Sequence, residues 1–188
     1  MKKILLLAIM AIATLKANAQ NEDGAVYITP RVGLSFATTT NDGASGWRTG
    51  LNAGVEAEYN LSENCGVSGG LFYTMQGAKA SDITLKLDYI NVPILFRYSP
   101  VEGLYFKAGI QPGFNVVKDI RAYGETIKIG DYDNTVKTVA LSIPIGVSYM
   151  FRNHIALDFR YNWGITKAYG DNCKNSVFML TAGYSFQL

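Results

Sequence analysis

From His154 to Thr166 the chain alternates with a period of two. Ile155, Leu157, Phe159, Tyr161, Trp163 and Ile165 are large and apolar, while His154, Ala156, Asp158, Arg160, Asn162, Gly164 and Thr166 are small, polar or charged. A strand sends successive side chains to opposite faces, so this segment is a ribbon with one greasy and one wet face. Its length covers the roughly 9–11 residues that a tilted strand needs to cross a bilayer. The pattern predicts a transmembrane β-strand.

The N-terminus predicts the compartment. Lys2 and Lys3 precede an apolar run from Ile4 to Ile12, and Ala17-Asn18-Ala19 follows. A basic start, a short apolar stretch and a small-x-small site are the three parts of a secretory signal peptide. The apolar run falls short of the roughly 20 residues a spanning helix requires. Residues 1–19 therefore read as a cleaved signal and residues 20–188 as one barrel domain. Cleavage removes Lys2, Lys3 and Lys16 and no acid, so 17 basic against 15 acidic residues become 14 against 15. The basic excess belongs to the targeting segment, and nothing in the charge balance favours nucleic acid.

Seven further segments repeat the alternation, around Ile28–Phe36, Leu51–Tyr59, Val67–Met75, Ile90–Tyr98, Leu104–Phe114, Val139–Phe151 and Phe178–Leu188. The connections after the second, fourth and sixth are short. Those after the first, third, fifth and seventh are longer, around Thr38–Gly46, Gly77–Thr84, Val117–Lys137 and Lys167–Lys174. Outer-membrane barrels have short periplasmic turns and longer outside loops, and an even strand number leaves both termini periplasmic. The predicted fold is all-β, an eight-stranded antiparallel up-and-down transmembrane β-barrel in the outer membrane of a Gram-negative cell.

The competing architecture is a soluble lipocalin-like barrel, with the same alternation but its apolar face turned inward. Two patterns weigh against it. Glycine recurs on the polar phase, at Gly33, Gly54, Gly70, Gly109, Gly146 and Gly183 among others, where a narrow interior is crowded. Trp47, Tyr59, Tyr73, Tyr98, Tyr149, Trp163 and Tyr184 recur near the ends of the apolar phase, where a bilayer interface holds aromatic belts.

The segment Tyr89-Ile-Asn-Val-Pro-Ile-Leu-Phe-Arg-Tyr98 resembles the tyrosine–x–x–aliphatic–proline strand of a family of Gram-negative outer-membrane β-barrels that includes PorT-like and OmpX-like small barrels. Ala182-Gly-Tyr-Ser-Phe-Gln-Leu188 is similar to the terminal strand that barrel-assembly machinery recognises, except that Phe186 stands two residues short of the end. The resemblance covers the whole mature chain. It implies insertion by that machinery and, by analogy alone, an accessory role in secretion.

The inward phase carries Arg31, Glu56, Glu58, Arg97, Lys107, Asp158 and Arg160. Charges shielded from bulk water must pair, and an eight-stranded barrel is just wide enough for its own side chains to fill. We expect Asp158 and Glu56 or Glu58 to pair with Arg160, Arg97 or Lys107 as a structural plug; a narrow polar conduit is the alternative. His154, the single histidine, falls at a short-turn end on the inward phase, with no nucleophile or orienting acid supplied by any motif. Cys65 and Cys173 fall at opposite ends of the barrel, beyond the roughly 7 Å between α-carbons that a disulfide spans. Asp131-Tyr-Asp-Asn134 resembles a fragment of a calcium loop but lacks its bidentate Glu. Ile127-Lys128-Ile129 alternates, so the longest loop is expected to extend a hairpin above the membrane. Tyr123 and Tyr132 in that loop are candidate contacts for an external partner.

These readings predict no enzyme, cofactor or metal. The expected role is structural or interactive, through the outside loops, with outer-membrane lipid around the barrel and a protein partner on its extracellular or periplasmic side. A small pore for ions or polar solutes is the alternative, and a lipid-acting enzyme a weaker one.

Overall fold

The computed structural model describes residues 24–40, 46–80, 83–122, 125–128, 137–168 and 173–188. Its strands are β1 (Val26–Thr40), β2 (Gly46–Asn60), β3 (Cys65–Ala80), β4 (Ile83–Asn91), β5 (Ile94–Val101), β6 (Leu104–Ala122), β7 (Glu125–Lys128), β8 (Val139–Met150), β9 (Ile155–Gly164), β10 (Lys174–Tyr184) and β11 (Phe186–Gln187). All pairings are antiparallel, and β1 closes the sheet by pairing β2 on one side and β10 with β11 on the other. β4 and β5 form one interrupted stave, as do β10 and β11, so the closed barrel has eight staves. One end carries the turns after β2, β5 and β8, the start of β1 and the end of β11. We call it the turn end, and the other the loop end.

Three interruptions in the ladder coincide with proline, which has no N–H to donate. Pro93 separates β4 from β5, and the backbone mends around it: Gly70 donates to the Pro93 carbonyl at 3.1 Å and Val92 to that of Pro112 at 2.9 Å. Pro30 lies opposite the break between β10 and β11, where the Ser185 N–H turns to the His154 carbonyl at 2.9 Å. Pro144 lies in the unpaired step between β6 and β8.

The burial is inverted relative to a water-soluble barrel. Val32, Phe159 and Trp163 are 61%, 48% and 57% exposed, while Glu56 and Arg160 are 0% and 2% exposed. Large apolar side chains cover the outside of the eight staves. Such a continuous apolar surface far exceeds the few hundred Å² that a soluble monomer exposes. It is the face of a barrel solvated by lipid.

Six strands, β1, β2, β3, β4, β6 and β10, run further toward the loop end than the alternation predicts, β4 and β6 the furthest. β3 continues to Ala80, β4 starts at Ile83 and β6 continues to Ala122, so much of Gly77–Thr84 and Val117–Lys137 is strand rather than loop. Asp119–Ala122 of β6 pair β4 on one side and β7 on the other. The 19 residues of β6, at about 3.3 Å each and tilted near 40°, rise roughly 45 Å against a hydrocarbon core of ~30 Å. A sheet of β3, β4, β6 and β7 therefore projects beyond the membrane.

Candidate functional site

The lumen has two layers. The layer toward the turn end is ionic. Glu56 and Glu58 of β2, two apart, share the inward face, as do Asp158 and Arg160 of β9. Arg31 comes from β1, Arg97 from β5 and Lys107 from β6. Lys107 Nζ lies 2.5 Å from Glu56 Oε1, 3.0 Å from Glu58 Oε1 and 3.5 Å from Asp158 Oδ2. Arg160 Nη2 lies 2.8 Å from Glu56 Oε2 and 3.2 Å from Asp158 Oδ2. Arg31 reaches Glu58 at 3.2 Å, Glu56 at 3.7 Å and Asp158 at 3.9 Å. Arg97 reaches Glu58 at 3.3 Å and lies over the Tyr105 ring at 4.4 Å.

All seven residues singled out in the sequence as interior charges thus meet in one buried network. It holds four cations and three carboxylates, so each carboxylate has more than one cationic neighbour. Phe72 of β3 borders it on the side of the loop end, with the Arg160 guanidinium 5.9 Å from the ring centre. Glycines make room for that ring. A Cβ at Gly54 would lie 2.6 Å from Phe72 Cδ1, and one at Gly70 would lie 2.7 Å from Cε2.

The layer toward the loop end is uncharged. Thr74 Oγ1 donates to Asn52 Oδ1 and Asn91 Nδ2 donates to Thr74 Oγ1, both at 3.0 Å. Asn52 and Asn162 each donate to Met179 Sδ, at 3.1 and 3.7 Å. Two small apolar groups complete it, Ala37 with Val177 and Met179, and Leu87 with Tyr89, Leu85 and Ala140. A cavity of about 20 Å³ remains among Gln76, Asn91, Gln111, Ser142, Asn162 and Asn175. That is room for about one water.

A second polar cluster, not anticipated from the sequence, sits in the wall near the loop end. Arg48 Nη1 donates to Asp88 Oδ1 at 2.8 Å and also to the Gln76 carbonyl. Tyr73 Oη donates to Asp88 Oδ2 at 2.7 Å. Arg48 lies where the register of β2 on β3 shifts between Trp47 and Asn52. Strict alternation therefore could not have brought these residues together.

His154 occupies the turn between β8 and β9 with φ 64°. That left-handed conformation takes it out of the strand alternation, and its ring lies 5.9 Å from that of Tyr184. Cys65 opens β3 at the turn end, Cys173 precedes β10 at the loop end, and they form no disulfide. Among the described residues no group of three or more His, Cys, Asp or Glu is arranged to hold a metal ion. Tyr123, Tyr132 and Asp131–Asn134 lie outside the described residues, as does the segment 1–19.

Among solved structures, the chain is similar to Ail, the attachment invasion locus protein of Yersinia pestis. The identity is 20% with a TM-score of 0.56, over 88% of this chain and 100% of that one. The structure of Ail with the heparin analogue sucrose octasulfate aligns at the same identity and coverage, with a TM-score of 0.59. Neisserial surface protein A aligns at 17% identity and a TM-score of 0.54, over 88% of this chain and 100% of its own. These likenesses concern the fold. No curated protein matches the sequence. The family model described as "Outer membrane protein beta-barrel domain" matches residues 18–170. The chain belongs to this family of outer-membrane β-barrel proteins.

Proposed function

We propose that the protein is a non-conducting barrel that presents an interaction surface at its loop end, outside the cell, with both termini periplasmic. The observation that carries this reading is the ionic layer. Seven buried charged side chains from five strands close the lumen, and the cavity above them among Gln76, Asn91 and Asn162 holds about one water. The working surface is then the projecting sheet of β3, β4, β6 and β7. Among the described residues β7 pairs β6 alone, and an edge of this kind is a template for a further strand. Tyr123 and Tyr132 flank that strand in sequence, and we assign them to contacts with a protein partner. No catalytic role is assigned to any residue. Residues 1–19 act as a signal that is removed before the barrel-assembly machinery inserts the chain.

Two measurements test this reading. In a C65S/C173S background, K79C is labelled in intact cells by a membrane-impermeant maleimide and S62C is not; the reverse pattern overturns the orientation. Cross-linking in native outer membranes captures a neighbour with the intact chain and loses it when residues 119–136 are deleted. Capture that survives the deletion places the interaction surface elsewhere.

A further inference from the structure

The loop end carries a groove on the outer wall that the lumen does not use. Beyond the ends of β8, β9 and β10 the backbone ladder continues: Lys137 N donates to the Ala168 carbonyl at 3.1 Å, and Ala168 N to that of Cys173 at 2.8 Å. These bonds bring three separate strand ends onto one rim. Between them lies an open groove of about 700 Å³, with Lys137, Lys167 and Lys174 on its walls and Val139 and Ile165 on its floor. Lys118 Nζ stands at its edge, 3.3 Å from Thr138 Oγ1.

The floor and the walls favour different ends of one ligand. Val139 and Ile165 are exposed and continue the lipid-facing columns of Ile145 on β8 and of Trp163 and Phe159 on β9. An apolar chain lying on this floor runs down the barrel within the bilayer. The lysines stand where that apolar band ends, and none of Lys137, Lys167 and Lys174 pairs with a carboxylate among the described residues. Three lysines lining one groove make it locally positive, which favours an anionic group there. Lys86, on the projecting sheet, stands instead directly across from Asp119 in register.

We propose that this groove binds the phosphorylated headgroup of an outer-leaflet lipid, its acyl chains lying on Val139 and Ile165. The choice of leaflet rests on the orientation given above. The binding itself does not, so failure of the labelling experiment and failure of this one are distinguishable.

The test is native mass spectrometry of the full chain in micelles, titrated with diphosphoryl lipid A or with its dephosphorylated form. The phosphorylated lipid is expected to form an adduct and the dephosphorylated one to be lost. Near a charged surface each lysine contributes enough that K137S/K167S/K174S is expected to weaken binding roughly a hundredfold. K79S/K86S and K137R/K167R/K174R are expected to bind as the native chain does. Undiminished binding by the triple serine variant, equal binding of the dephosphorylated lipid, or equal loss in K79S/K86S overturns the proposal. Full displacement by millimolar inorganic phosphate also overturns it, because the groove is then an anion site without a lipid. Heat-dependent gel mobility reports whether each variant folds. If the triple serine variant does not, the single serine substitutions give the same readout in steps, and no step in any of them overturns the proposal.

Discussion

Lys107 of β6 and Glu56 of β2 meet inside the barrel at 2.5 Å although two staves stand between them in the wall. Contacts of this kind tie the sheet across its lumen, where backbone pairing cannot reach. The two partners are not equivalent. Glu56 keeps Arg31 and Arg160 if Lys107 is lost, whereas the cations already outnumber the carboxylates by one.

Removing an acid is therefore expected to cost more than removing a base. Glu56→Gln leaves four cations with two carboxylates and is predicted to destabilise the folded barrel by about 3–5 kcal/mol, the usual cost of orphaning a buried charge. Lys107→Met leaves three of each and is predicted to cost about half as much. Urea unfolding in lipid vesicles measures both. A larger loss for Lys107→Met contradicts the charge count.

The assignment of faces predicts a depth profile along β9. Phe159 lies mid-strand on the lipid face and Trp163 near its loop end. Phe159→Arg is expected to cost about 2–4 kcal/mol and Trp163→Arg at most about 1 kcal/mol, following the depth dependence of charges on barrel exteriors. The same unfolding measurement checks this. Equal costs at the two positions rule out a midplane location for Phe159.

Two glycines with different surroundings give a packing test. A Cβ at Gly54 meets the Phe72 ring at 2.6 Å and also the Leu71 carbonyl oxygen, whereas at Gly69 the nearest atom is the Pro93 carbonyl oxygen at 3.8 Å. Gly54→Ala is predicted to lose about 1–3 kcal/mol through overpacking. Gly69→Ala is predicted to be neutral within about 0.5 kcal/mol. Comparable losses at both sites would refute the close approach at Gly54.

Cys65 and Cys173 lie at opposite ends of the barrel. Under oxidising conditions the monomer is expected to keep two thiols that react with maleimide after denaturation. An intramolecular cross-link between them is incompatible with the strand order.

The fold was legible because the two faces of each stave meet different solvents, which forces a period of two on segments such as Ile155–Ile165. The interior charges were legible for the same reason: a charged residue on the wet phase of a narrow barrel has only other such residues to meet. The rule failed where the lumen itself turns apolar. Leu87 and Tyr89 point inward and are almost fully buried, so the loop-end part of β4 carries apolar residues on the wrong phase and reads as loop. It failed again at Arg48, where a register shift breaks parity, and at His154, whose positive φ removes it from the strand. The groove of Lys137, Lys167 and Lys174 was invisible for another reason. Each lysine ends a different segment, and only backbone bonds across three strand ends gather them.

A lumen closed by the charged layer carries no ions, so purified native protein in a planar bilayer is expected to show no steady conductance in molar salt. Current is expected to appear first when the network is dismantled by Glu56→Gln, Glu58→Gln and Asp158→Asn together. A steady, ohmic current through the native protein, with an ion selectivity that those substitutions alter, would show a conducting lumen and contradict that closure.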